Sequence, residues 1–337
     1  NAQNNLKLTG ITFPLSVFLV TEIRVNSCNL TGTLNLSTLT GLGGLVWIHD
    51  NPNLISVTNP TSSQIFTQYR AYDCNLTGTL NLSTLTGLGG SVWFYNNPNL
   101  TAITNPTSSQ TFTQYFAYDC NLTGTLNLST LTGLGGSVSF HSNPNLTAIT
   151  NPTSSQTFTQ YLAYSCNLTG TLNLSTLTGL GGSVSFAGNP NLTAVTNPTS
   201  SQTFTQYFAY DCNLTGTLNL STLTGLGGSV WLYGNSNLTA VTNPASSQTF
   251  TQYLAYDCNL GYVDLSGLTF DSALIIELYN NSMTTAEVNQ ILVDLDATVP
   301  ATGTGTIDIS GTNAAPDGST GGYDGVTAKS NLIAAGY

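Results

Sequence analysis

The sequence predicts an almost all-β solenoid, in which short parallel strands are stacked coil upon coil. Three observations support this fold class. The six cysteines recur every 46 residues from Cys28 to Cys258, and an asparagine such as Asn51 lies 23 residues after the first of them. Segments such as 115–118 alternate inward apolar residues with outward residues that vary, which is the period of a strand. The remainder of each coil is rich in Gly, Thr, Asn, Ser and Pro and has no helical period.

The repeat is regular enough to count the coils. A period of 23 residues gives about twelve coils between Cys28 and Asn281, with neighbouring strands ~4.8 Å apart. The block NLTGTLNLSTLTGLGG recurs without change and starts at Asn29, Asn75, Asn121, Asn167 and Asn213.

The coil resembles the leucine-rich repeat. Phe112, Tyr115, Ala117, Cys120 and Leu122 fall on the five positions of the pattern L-x-x-L-x-L-x-x-[N/C]-x-L. The string LTGTL is similar to the LTGxIP element of the plant-type subclass, and the whole array resembles the repetitive surface leucine-rich-repeat proteins of bacteria and phages. The resemblance covers about residues 15–285. It implies a right-handed solenoid with a concave parallel sheet, in which the recurrent Asn or Cys satisfies backbone groups inside each turn.

The C-terminal segment predicts a cap on the solenoid. Thr284 and Glu287 have the spacing of a capping box, and an amphipathic helix follows to about Ala297. A short strand over 306–310 and a second helix over 326–335 complete a small α/β unit, which repeat arrays need at an open end. We therefore divide the chain into a leucine-rich-repeat solenoid over 1–283 and a C-terminal cap over 284–337.

The N-terminus shows no matching cap. We expect its first edge strand to be exposed, covered by a preceding segment of a longer chain, or docked on another molecule. A chain that begins at Asn1 rather than Met is typical of a mature form after removal of a targeting peptide, or of a fragment. We expect an extracellular, cell-surface or virion-surface location.

Composition excludes several function classes. Four Lys and Arg stand against 15 Asp and Glu, for a formal net charge of -11, which repels phosphate backbones and anionic membranes. Gly, Asn, Thr and Ser interrupt every apolar run, so no stretch reaches the ~20 residues of a membrane span. We expect no nucleic-acid partner and no membrane insertion.

The residues give little support to catalysis. His49 and His141 occupy equivalent positions four coils apart, so they cannot meet in one site. Equivalent cysteines lie two coils apart, ~9.5 Å, beyond the ~7 Å limit for a disulfide, and are predicted to be buried free thiols. We predict a non-enzymatic protein with no cofactor and no metal.

Two carboxylate arrangements stay open. Asp50 and Asp73 lie on neighbouring coils and could pair as the carboxyl groups of a glycosidase do. Asp317 and Asp324 share a Gly-rich loop that could hold calcium, although such residues are more often turn formers.

The coils differ mainly at the outward positions of the predicted sheet. Rings at these positions, with Ser, Asn and Asp between them, have the composition of antibody-like binding surfaces, and would also suit the stacking of sugars. The alternative is that stacked rings only stabilise neighbouring strands. The predicted binding residues on this concave face are Trp47, His49, Tyr72, Trp93, Tyr95, Phe116, Tyr118, Asp119, Tyr164, Phe208, Tyr210, Trp231, Tyr233 and Tyr256.

These observations favour an extracellular recognition or adhesion module that binds a glycan or a protein through the aromatic face. The alternative is a structural subunit of an extracellular filament or appendage, assembled through the solenoid ends and the uncapped N-terminal edge. A weaker third hypothesis is ice binding by repeated threonines such as Thr123 and Thr125, which recur only in every second coil.

Overall fold

The structure is a computed structural model. It describes residues 1–14, 18–40, 43–61, 66–85, 87–107, 111–131, 133–153, 157–177, 179–199, 203–223, 225–245 and 249–337. The described residues form a parallel β-solenoid of about 10 turns with a helical C-terminal cap, which confirms the predicted fold class. The chain divides into two compact units, Asn1–Leu168 and Thr169–Tyr337.

The first unit consists of parallel strands. One sheet has the order β2-β5-β7-β9-β11-β13-β15, so every coil contributes one strand to it. Two-stranded pairs, such as β8 with β10 and β12 with β14, form on another side of the coils. The strands are β1 (Phe18–Leu19), β2 (Ile23–Arg24), β3 (Thr31–Asn35), β4 (Leu39–Thr40), β5 (Leu45–Trp47), β6 (Asn53–Thr58), β7 (Gln68–Arg70), β8 (Thr77–Asn81), β9 (Gly90–Trp93), β10 (Asn99–Thr104), β11 (Thr111–Phe116), β12 (Thr123–Asn127), β13 (Gly133–Ser139), β14 (Asn145–Thr150) and β15 (Thr157–Leu162).

The second unit repeats this arrangement and ends in the cap. Its main sheet has the order β17-β19-β21-β23-β24-β25, and β16 pairs with β18 as β20 does with β22. The elements are β16 (Thr169–Asn173), β17 (Gly181–Ser185), β18 (Asn191–Thr196), β19 (Thr203–Phe208), β20 (Thr215–Asn219), β21 (Gly228–Trp231), β22 (Asn237–Thr242), β23 (Thr249–Leu254), β24 (Thr269–Glu277), α1 (Thr285–Thr298), β25 (Thr306–Asp308) and α2 (Gly325–Ala335).

A buried column of alternating Asn and Cys holds each coil to the one before it. Asn97 donates from Nδ2 to the carbonyls of Ala71 and Phe94, both at 2.8 Å, and its Oδ1 accepts from the Leu76 amide at 3.0 Å. In the next coil Cys120 donates from Sγ to the Phe94 carbonyl at 3.3 Å. The backbone groups inside each turn are therefore satisfied, as the resemblance implied.

A second internal bond was not predicted from the sequence. The buried hydroxyl of Tyr115 donates to Oδ1 of Asn105 at 2.9 Å, and Asn105 donates from Nδ2 to the Asn127 carbonyl. The Asn-Pro-Thr segment that begins at Asn105 reads as a turn in the sequence. In the structure its amide lets a large ring enter the core without leaving a polar atom unsatisfied.

The side of the coils opposite in sequence to the main strands is more regular than expected. The sequence predicted turns and short extended pieces there, whereas the TGTLN and NLTAIT segments form five- and six-residue parallel strands. Gly and Asn are depleted in strands, but pairing with the adjacent coil overrides that local preference. Gly90 is required by close approach: its φ is +63°, and a Cβ there would lie 2.0 Å from the Thr67 carbonyl oxygen.

The cap forms as predicted, with small shifts of its bounds. Thr284 caps α1, and the reciprocal bond from Glu287 completes the capping box. The helix ends at Thr298, one residue later than expected, and β25 ends at Asp308 rather than at residue 310. Because β25 pairs with β24, the cap adds one more strand to the main sheet of its unit.

The N-terminal edge differs from the prediction. The amides of Ala2 and Asn4 donate to the carbonyls of Arg24 and Asn26 at 2.9 and 3.0 Å, in the register of a further coil. The first residues of the described chain therefore cover the edge of β2, which the sequence left exposed or covered by something else. Among the described residues no helix combines the length and the apolar character needed to cross a membrane.

Candidate recognition face

The outward residues of the main sheet form three columns, because parallel strands in the same register place equivalent side chains one above another. In β7, β9 and β11 the inward residue is fully buried, as Tyr115 is, and the next residue points outward. Arg70 pairs in register with Trp93, and Trp93 with Phe116. Rings that are 23 residues apart in sequence thus become direct neighbours.

The first column, which we call the ring column, is a continuous stack within each unit. Successive ring centroids are 4.3–4.6 Å apart and the ring planes lie within 15° of parallel. Offset contacts at this spacing contribute beyond simple burial. The members are His49, Tyr72, Tyr95, Tyr118, His141 and Tyr164 in the first unit and Tyr210, Tyr233, Tyr256 and Tyr279 in the second.

The second column, which we call the indole column, alternates arginine and tryptophan in the first unit. The Arg24 guanidinium lies 4.7 Å from the Trp47 ring centroid. Arg70 is inserted between Trp47 at 4.8 Å and Trp93 at 4.1 Å, and Trp93 stacks on Phe116 at 6.0 Å. These are cation–π contacts with an arginine on an open sheet. In the second unit Phe208 stacks on Trp231 at 4.4 Å.

The third column occupies the turn after each strand, where the backbone has positive φ. Asp50, Asp73, Asn96 and Asp119 have φ of 49–55°, a conformation that Asn and Asp tolerate best among residues with a side chain. Asn96 donates to Asp73 at 2.7 Å. Asp50 is engaged by Ser27 at 3.3 Å and lies 2.9 Å from Nδ1 of His49.

The stacks determine which parts of the rings a partner can touch. Each interior ring has both faces covered by neighbours, so the surface presents ring edges, phenol hydroxyls and the carboxylates beside them. Stacking of a sugar on a ring face, which the composition suggested, is therefore disfavoured within the columns. Hydrogen bonding to hydroxyls and packing against edges remain open to a partner.

Electrostatics keeps the ring column uncharged near neutral pH. Burial and the neighbouring phenols raise the pKa of Tyr233 to about 12, and burial raises the pKa of Tyr95 further still. Burial lowers the pKa of His141, against the opposing effect of Asp119. The tyrosines therefore keep their hydroxyl protons, and His141 is neutral between its two stacked neighbours.

The structure brings the predicted binding residues onto one side of the main sheet in each unit. Twelve of the fourteen are half-buried, His49 is buried and Asp119 is exposed. Sequence reasoning left Arg24, Arg70 and Tyr279 out of the predicted site. Their spacing of 23 residues from Trp47 and from Tyr256 was the signal that identifies them. We call the three columns together the recognition face.

The two open carboxylate arrangements serve structural roles. Asp50 and Asp73 are each tied to side chains of the turn column, as described above. Asp317 accepts from the amides of Ser319 and Thr320 and from Asn289, and also pairs with the Thr320 hydroxyl. Asp324 caps α2 through the Thr327 amide at 2.9 Å. Nowhere in the described part of the chain do three or more His, Cys, Asp or Glu gather as metal ligands would.

The fold and its repeating columns define a leucine-rich-repeat solenoid. More specifically, the chain belongs to the family of the BspA type leucine rich repeat region, whose model matches residues 2–123, 48–169 and 171–272 in 6 copies. Repeats of this type are characteristic of surface-associated proteins. Comparisons with curated proteins and with solved structures found no match.

Proposed function

We propose that the protein is a non-enzymatic extracellular recognition or adhesion module, and that the recognition face binds a protein partner. The observation that carries this proposal is the variation among coils, which is concentrated on half-buried outward side chains. Positions equivalent to Trp93 hold Trp or Ser, and those equivalent to Tyr95 hold His, Tyr or Ala. The buried positions beneath them stay nearly constant.

The chemistry of the face supports a protein rather than a sugar. Ring edges, fixed hydroxyls and carboxylates offer adaptable polar contacts on a stiff support, as antibody-like surfaces do. Stiff rings lose little conformational entropy on binding, and the stacking already holds them in one orientation. A sugar that needs an open ring face would find it covered.

The test replaces Trp47, Trp93 and Trp231 by serine and measures binding to whole cells, to their extracted surface proteins and to a glycan array. Ser139 and Ser185 already occupy equivalent positions, so the fold should tolerate the change. Each well-packed anchor removed from an interface costs ~2 kcal/mol, or about thirtyfold in affinity. We expect binding to surface proteins to disappear while the circular dichroism spectrum is unchanged.

A matched control replaces threonines on the other strands, for instance Thr79 and Thr125, by serine. These changes should leave binding as it is in the wild type. Binding that survives all three tryptophan substitutions would show that the columns only stabilise the sheet. Binding to the glycan array alone would assign the face to a carbohydrate instead.

A further inference from the structure

The other strands of the coils carry a second exposed surface, which bears no charge. It consists of the outward side chains of β3, β6, β8, β10, β12 and β14 in the first unit and of β16, β18, β20 and β22 in the second, and we call it the threonine face. All charged residues of the coils from residue 24 to residue 257 lie on the recognition face instead. They are Arg24, Asp50, Arg70, Asp73, Asp119, Asp211 and Asp257.

Along the threonine face, large and small side chains alternate from coil to coil. Thr79 pairs in register with Ala102, and Thr125 with Ala148. The threonines are exposed and the alanines half-buried. The second unit has the same pairs, Thr171 with Ala194 and Thr217 with Ala240. Successive coils thus present a projection and a recess at the strand spacing of ~4.8 Å.

The projecting hydroxyls are not used within the chain. Thr101 donates from its hydroxyl to the Gly78 carbonyl at 3.0 Å, so some threonines of these strands have a structural role. In the described part of the chain the hydroxyls of Thr79 and Thr125 have no hydrogen-bond partner, although the residue is identical in all five copies of the block. Internal stability does not explain why these two exposed residues recur unchanged.

We propose that the threonine face is a self-association surface, on which a second copy of the same chain packs. A partner that fits an uncharged surface with this repeat must repeat at the same spacing, and a second copy does so automatically. Displaced by one coil, each Thr of one copy faces an Ala of the other, so the projections enter the recesses as side chains do between paired sheets.

Charge favours this face over the other for contact between copies. The chain has a net charge of -11, so two copies repel one another, and recognition faces would bring their aspartates together. The threonine face brings no charged group to the contact. Its Thr and Asn side chains can also hydrogen-bond across it.

Repetition gives the pairing more than one register. A shift by a whole 46-residue unit reproduces the same facing pairs, because the block is identical in five copies. Copies that overlap only in part leave some of the face free for a third chain. We therefore expect open, staggered assemblies alongside symmetric dimers.

The test uses the full chain and sedimentation velocity over a series of protein concentrations. The wild type should associate as its concentration rises. The quadruple variant Thr79→Lys, Thr125→Lys, Thr171→Lys and Thr217→Lys should associate at least about a hundredfold more weakly, because a lysine enclosed in the contact has no partner for its charge. The same variant lowers the net negative charge, so general repulsion alone predicts the opposite result.

Two controls separate this proposal from other causes. Four lysines at exposed threonines of the main strands, Thr113, Thr159, Thr205 and Thr251, add the same charge elsewhere and should leave association unchanged. The tryptophan variant of the recognition face should also associate as the wild type does, whether or not it binds a partner.

A wild type that stays monomeric at every concentration would overturn the proposal, and so would a threonine-face lysine variant that associates normally. If the monomer instead adsorbs to crystalline cellulose or to ice and the lysine variant does not, the face fits a foreign lattice rather than a second copy, and the proposal is equally overturned.

Discussion

Replacing Asn97 by alanine removes one side chain that joins three backbone segments. Its amide group is fully buried and forms the bonds to Ala71, Phe94 and Leu76 described above. The variant leaves two carbonyls and one amide of the interior without partners. Each such group costs ~1–3 kcal/mol when it is buried and unsatisfied. We expect a loss of about 4 kcal/mol in the free energy of unfolding of the surrounding coils.

The array supplies a matched control for this substitution. Cysteine stands at the equivalent position of the neighbouring coils, where Cys74 donates from Sγ to the Ile48 carbonyl at 3.3 Å. Asn97→Cys should therefore restore one carbonyl bond and lose less stability than Asn97→Ala. The order wild type, Asn97→Cys, Asn97→Ala is a stronger prediction than the size of any one value.

The assay must report on the coil itself, because long repeat arrays do not always unfold in one step. Urea unfolding gives the global change, and hydrogen exchange of the Leu76 amide gives the local one. That amide should exchange much faster in Asn97→Ala, since its acceptor is gone. Unchanged protection of Leu76, or equal stability of the three proteins, would refute the account of the buried column.

Three further predictions concern single features. Gly90→Ala should destabilise the coil strongly in thermal unfolding, because positive φ and the Thr67 carbonyl both oppose a Cβ; an unchanged Tm would contradict this. The cysteines should resist a thiol reagent in the native protein, since burial raises the pKa of Cys74 to about 12, and all six should react in denaturant without reductant; fewer than six would indicate disulfides. Hydrogen bonds hold the pKa of Asp317 below its usual range, so its contribution to cap stability is present above the unfolded-state pKa and lost as the pH falls towards the folded one. Asp317→Asn should remove this acid dependence, and unfolding curves that stay superimposable across acidic pH would count against it.

The periodic features of the fold could be predicted from the sequence, because they depend only on spacing. Residues 23 apart occupy equivalent places, so the alternation of Asn97 and Cys120 located the inside of each turn. The capping box at Thr284 is likewise a local signal, and the structure contains it. Features that depend on how neighbouring coils contact each other were harder to predict. The bond from Tyr115 to Asn105 joins residues ten apart that no standard spacing relates.

The covering of the ring faces belongs to this second group. Composition identified Trp47 and Trp93 as exposed rings, but it could not show that Arg70 would lie between them. The insertion follows from parallel pairing in register, which places every outward residue ~4.8 Å from its counterpart. At that distance, planar groups on adjacent strands stack. The exposed area of each ring is then its edge, and the chemistry offered to a partner changes accordingly.

The two surfaces of the coil are under different constraints, and this separates their proposed roles. Outward positions of the main sheet vary between coils while the Thr79 position does not, although both are accessible to solvent. A binding surface for one irregular partner gains from differences between coils, whereas a surface that meets a copy of itself requires sameness. Tryptophan variants should therefore lose partner binding and keep self-association, and threonine-face lysine variants should do the reverse. A single variant set that abolished both would mean that the coils had unfolded or that one surface performs both roles.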